Sequence, residues 1–140
     1  MSITNTILII HPAFFKCFEN IILPLLSHAH FYESGAPAAL SGVSCGLLPG
    51  ARGIFSAEDV KAALRPANVH FPPTRLLCIE NTHNRGGGAI WPVEKIAEVQ
   101  ALALEADLKM HLDGARLWNA TVASGIAEKE YAKYFDTVSV

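Results

Sequence analysis

Cysteine is scarce and unpaired here: Cys17, Cys45 and Cys78 are three in 140 residues and form no Cys-x-x-Cys pair. That excludes a disulfide framework and a zinc clip, and a reducing, cytoplasmic setting is expected. Charge is thin as well. Only 17% of residues are charged, 11 basic against 13 acidic, for a net charge of −2. With no basic face and no acidic tail, nucleic acid is excluded as a partner. Long apolar runs are missing too. Ile7-Leu8-Ile9-Ile10 and Ile21-Ile22-Leu23-Pro24-Leu25-Leu26 are separated by Pro12, Lys16, Glu19 and Asn20, and neither approaches the ~18 residues of a membrane span. No Lys or Arg precedes Lys16, as a secretory leader would require. The two runs read as core or interface, and no membrane partner is expected. No repeat or low-complexity tract occurs.

What is present is apolar residue, 51% of the chain, more than a free-standing domain usually carries, so part of the surface is expected to be covered. The length suits one core. Gly35, Pro37, Gly42, Gly46, Pro49, Gly50 and Gly53 predict turns and a short strand rather than a helix over residues 35–53. Ser56 opens a helix with Asp59 in capping-box spacing, Val60, Ala63 and Leu64 on one stripe, and Pro66 as its end. Residues 74–79 read as a strand, and Gly86-Gly87-Gly88 as a loop. Pro92 and Glu94 start a helix whose face is Ile96, Val99, Leu102, Ala103 and Ala106. A strand over 108–112, helices over 115–123 and 127–135, and a strand from Asp136 to Val140 follow. Strands alternating with helices predict an α/β fold with a mostly parallel sheet and flanking helices. Val138-Ser139-Val140 reads as mid-strand, so the chain is expected to be part of a larger protein.

The chemistry gathers where apolar runs empty into polar residues. Leu76-Leu77-Cys78-Ile79 leads into Glu80-Asn81-Thr82-His83-Asn84, and Met110-His111-Leu112 leads into Asp113-Gly114-Ala115-Arg116. Open α/β sheets bind ligands at the carboxyl ends of their strands. A partly desolvated Asp113 needs a positive partner, and two readings are open. It holds the protonated ring nitrogen of an electron-sink cofactor of the pyridoxal phosphate type, with Arg116 by the ring's phenolic oxygen. Or it pairs with Arg116 and caps the next helix. His28 and His30, on one side of an extended segment, offer an imidazole for stacking or two ligands of an incomplete metal site. His83 lies where an acid or base for a hydroxyl proton would be useful; alone, it reads equally as a polar surface residue.

These residues resemble a known family, the low-specificity L-threonine aldolases within the β-eliminating lyase group of pyridoxal-phosphate enzymes. The resemblance is carried by the His28–Ala36 segment, Pro49-Gly50-Ala51-Arg52-Gly53, Val69-His70-Phe71-Pro72, Glu80-Asn81-Thr82-His83-Asn84 and the His111–Ala120 segment. It implies part of the large cofactor domain of the aspartate-aminotransferase-like fold over residues 28–140, preceded by a divergent hydrophobic segment over 1–27. It also implies a homodimer or homotetramer, pyridoxal 5'-phosphate as cofactor, and retro-aldol cleavage of a β-hydroxy amino acid, L-threonine or L-allo-threonine, to glycine and acetaldehyde. Asp113 would bind the pyridine nitrogen, Arg116 would sit by the phenolic oxygen, His28 would stack on the ring, and His83 would face the substrate hydroxyl, with Glu33 a lesser catalytic candidate.

Two departures accompany the resemblance. Residues 1–27 lack the family's Ser-Gly-Thr phosphate turn, and no lysine here stands where the family's cofactor-linking lysine would, beyond the last strand. The 140-residue piece is therefore expected to be inactive alone. Another β-elimination reaction on the same cofactor, or a non-catalytic remnant, is the alternative.

Overall fold

The structure, a computed structural model, describes residues 19–140; the apolar run over residues 7–10 and Cys17 lie outside the described residues. Five strands form one sheet: β1 (Asn20–Pro24), β2 (Ser44–Leu48), β3 (Thr74–Glu80), β4 (Lys109–Asp113) and β5 (Thr137–Ser139), in the order β2-β1-β3-β4-β5. Every pairing is parallel, so all carboxyl ends share one edge. Order reverses at β1, which lies between β2 and β3, and such a switch point opens a crevice at that edge.

Parallel strands are covered on both faces, which is why they read as unbroken apolar runs. Ile22, Leu77, Ile79, Met110 and Leu112 face one core with Phe55, Trp91 and Tyr131. Ile21, Leu23, Leu76 and Cys78 face the other with Ala29 and Val43. Each fully buried Ile or Leu contributes about 1.5–3 kcal/mol. Alternation then places Glu80, His111 and Asp113 on the face of Cys78.

Six helices complete the described chain: α1 (His28–Phe31), α2 (Ala36–Ser41), α3 (Ala57–Ala63), α4 (Val93–Glu105), α5 (Leu117–Ser124) and α6 (Glu128–Ala132). The Ser56 box forms on both sides: Asp59 N–H donates to Ser56 Oγ at 3.1 Å and Ser56 N–H to Asp59 Oδ2 at 2.8 Å. In α4 the buried face is Ile96, Val99 and Ala103, and the helix begins one residue after Pro92, which caps it.

Two expectations need correction. Residues 36–41 are helical, because Pro37 sits in the first turn and Gly35 and Gly42 take left-handed conformations at its two ends. Hence the glycines there bracket a short helix and do not forbid one. His28 to Phe31 is a helical turn and not an extended segment; His28 faces the sheet edge while His30 is exposed. The Ile21–Leu26 run, read as core or interface, supplies most of the buried strand β1, paired with both β2 and β3. Among the described residues no helix is long and apolar enough to cross a membrane.

Candidate active site

Glu80 and Asp113 end adjacent strands as register partners, and both are buried. Asp113 Oδ1 accepts a hydrogen bond from the Ala115 N–H at 3.3 Å. Burial, and then the charge of Glu80, raise its pKa, against smaller opposing effects of the Ala115 N–H, His28 and Arg116. Among the described residues no cation lies within ion-pair distance of Asp113. The Asp113–Arg116 ion pair, one of two readings from spacing, does not form. Arg116 is half-buried at the start of α5 and makes no side-chain cap.

Around Asp113 the walls are Ser27, Ala29, Cys78, Glu80 and His111, enclosing a hollow of about 10 Å³, room for one water. Ser27 Oγ and His111 Nε2 are buried there without hydrogen-bond partners. Burial pushes His111 down to about 4, and its Nδ1 lies 2.9 Å from Thr137 Oγ1. Desolvation sends the Cys78 thiol well above its usual range, so it is inert.

The His28 ring lies over this edge. Its Nε2 is 3.2 Å from Glu33 Oε1, a close contact without hydrogen-bond alignment, since that oxygen has no hydrogen-bond partner. Tyr32 flanks the imidazole at 5.0 Å with a 32° tilt. Glu33 is buried and His28 is one third exposed, so one side of the imidazole stays open while the carboxylate holds the other.

His83 is enclosed by backbone. Gly53, at φ +83°, lies flat against the ring, where a Cβ would come within 2.4 Å of it; a Cβ on Gly86 would come within 2.1 Å of the Arg52 carbonyl oxygen. Only glycine fits at both. The Gly86 N–H donates to His83 Nδ1 at 2.9 Å, which fixes the neutral tautomer: Nδ1 accepts, so Nε2 carries the proton. Nε2 is buried without a hydrogen-bond partner, 3.9 Å from Glu80 Oε2. Burial lowers the pKa of His83 more than Glu80 raises it, so the ring is neutral at pH 7 and offers an N–H donor.

Several supporting residues carry no signal in the sequence beyond their place in a motif. Arg52 donates through Nε to the Gly86 carbonyl at 2.7 Å and through Nη2 to that of Gly87 at 3.1 Å, tying the Pro49–Gly53 turn to the His83 loop. Arg85 donates to Tyr32 Oη at 2.9 Å and lies 4.1 Å over the Phe31 ring. A far larger cavity, about 730 Å³ and lined by Ser44, His70, Phe71 and Pro73, opens beside the starts of β1, β2 and β3. It holds none of these groups, and the parallel sheet points its chemistry to the other end.

The structure thus places Asp113 within the electrostatic reach of both His28 and Arg116, with Glu33 against His28 and Glu80 touching both the His28 turn and His83. A family model for beta-eliminating lyases matches residues 3–140. The low-specificity L-threonine aldolase of Candida albicans is 37% identical over 125 residues, 86% of this chain and 33% of that protein. The solved Leishmania major threonine aldolase superposes with a TM-score of 0.83 at 26% identity, over 95% of this chain and 38% of that one. A Thermus thermophilus aspartate aminotransferase shares the fold, with a TM-score of 0.61 at 17% identity over 79% of this chain and 28% of that one. The chain spans about a third of the length of the curated relatives it matches. With the match running almost end to end and the parallel sheet in place, the chain belongs to the beta-eliminating lyase family.

Proposed function

We propose that residues 28–140 are part of the cofactor domain of a pyridoxal 5'-phosphate-dependent aldolase that cleaves L-threonine or L-allo-threonine to glycine and acetaldehyde. The observation that carries this reading is the pair of buried carboxylates, Glu80 and Asp113, at one sheet edge with no cation against Asp113. Such a carboxylate is stable when a protonated nitrogen meets it, so the donor set fits a pyridinium. When bound, the cofactor's ring accepts the electron pair released as the bond at the substrate's α-carbon breaks.

The chain's own residues divide the remaining work. Asp113 would hold a proton on the ring nitrogen, and Arg116 would sit by the ring's phenolic oxygen. His28, kept in place by Glu33 and Tyr32, would stack on the ring face. His83 donates its Nε2 proton toward the substrate's hydroxyl group and orients it. The Gly86 N–H blocks the other tautomer, so the hydroxyl proton leaves to a water or a carboxylate and not to His83 Nε2. Glu33, buried and against His28, is a lesser candidate for that carboxylate. The exposed Leu25, Leu26, Phe31 and Tyr32 supply apolar surface beside the site for a homodimer or homotetramer, and the cytoplasm, where cysteines stay reduced, is the compartment this reading assigns.

Acetaldehyde release from L-threonine by the complete protein, loaded with pyridoxal 5'-phosphate, tests the reading. Replacing Asp113 with Ala is expected to lower turnover by about a hundredfold or more. Unchanged turnover would refute the role.

A further inference from the structure

We propose that Glu80 is the positioning residue of this site: one buried carboxylate that fixes the His28 turn and the His83 loop relative to each other across the crevice between β1 and β3. Its Oε2 accepts the His28 N–H at 2.8 Å, and its Oε1 accepts the Asn84 N–H at 2.9 Å. The two donors are 56 residues apart in the chain and follow different strands. Glu80 is buried, so neither oxygen has water as an easy substitute, and leaving either N–H unpaired there is costly. The turn at His28 needs this partner, because its N-cap residue, Ser27, makes no side-chain cap. The third contact is His83 Nε2, 3.9 Å from Oε2. With Nδ1 occupied by the Gly86 N–H, the Nε2 proton faces the Glu80 charge, which favours the protonated ring against its burial. One side chain thus places the backbone of the stacking imidazole, holds the loop of the hydroxyl-facing imidazole, and biases the second ring's charge. The other titratable groups around this carboxylate are Cys78, His111 and Asp113, which line the same hollow, and His28, whose backbone N–H it accepts.

The catalytic consequence rests on the proposed function; the geometry does not. The test is therefore made on the full chain without cofactor, by amide exchange and histidine titration in NMR, for Glu80→Gln and Glu80→Asp. In the Gln variant one oxygen still accepts, but the amide's NH₂ meets the other N–H. Exchange at His28 or Asn84 is expected to rise about tenfold or more while Leu77 and Met110 in the central strands stay protected. The His83 midpoint is expected to fall by about one pH unit or more, the shift of a lost opposite charge at this range. The Asp variant keeps the charge on a shorter stem, so its His83 midpoint returns toward wild type while one of the two amides stays unprotected. If the Gln variant loses strand protection as well, the Asp variant decides the matter by that split. Wild-type exchange at both amides in either variant, or an unmoved His83 midpoint in a folded Gln variant, would overturn the proposal. A wild-type complete protein without aldolase turnover would instead sink the proposed function and leave these readouts standing.

Discussion

His111 shows at the scale of one residue how the sheet edge is electrically prepared. It points the same way as Asp113 two residues later, is buried, and is pushed down to about 4, whereas in an unfolded chain it titrates near 6.5. Between those values the unfolded chain binds a proton that the folded one refuses. Stability is therefore expected to fall as pH drops from about 6.5 toward 4, by about 1 kcal/mol per pH unit, and to level off below that. Urea unfolding from pH 7 to pH 4.5 measures this directly. The His111→Gln variant should lack this part of the slope, and a variant with the wild-type slope would contradict the assignment. His83 and Asp113 were legible in the sequence as residues just past buried strands. The role of Glu80 was not, because its partners are backbone N–H groups, one of them 52 residues away, and no side-chain pattern announces those.

At the scale of elements, segments with a local signal were readable, short ones included, and α1 and α2 were not. Helix α4 runs thirteen residues with an apolar stripe along one face, and α3 carries a capping box; both signals are local. The four residues of α1 contain no period to read, and that turn is held by Glu80 from across the sheet. The His83 loop is likewise held from outside itself. Arg52, at φ +56°, spends two donors on the Gly86 and Gly87 carbonyls, and the loop's own closure is the Gly88 N–H to His83 carbonyl bond at 3.1 Å. Arg52→Ala should cost the loop about 1 kcal/mol of local stability, read as roughly fivefold faster exchange at Gly88 with no change at Val60 in α3. Equal exchange at Gly88 would show that the loop holds itself.

At the scale of the molecule, the parallel order was predictable from alternating strands and helices, but the position of β1 was not. Its residues follow a proline-broken apolar stretch, and only their pairing with both β2 and β3 identifies them as a strand of the switch point. That reversal of order opens the crevice where His28 and Glu80 meet, and it places the candidate site at the carboxyl edge and not at the larger cavity. The chain covers about a third of its curated relatives, and its high apolar content matches exposed Leu104, Trp118 and Val122 on α4 and α5. In the proposed role, Asp113 keeps a bound pyridine nitrogen protonated. Its most direct test is the ¹⁵N chemical shift of ring-labelled pyridoxal 5'-phosphate bound to the complete protein. The shift of a protonated ring nitrogen, persisting from pH 7 to pH 9, is expected, and the shift of a bare pyridine nitrogen in that range would rule the role out.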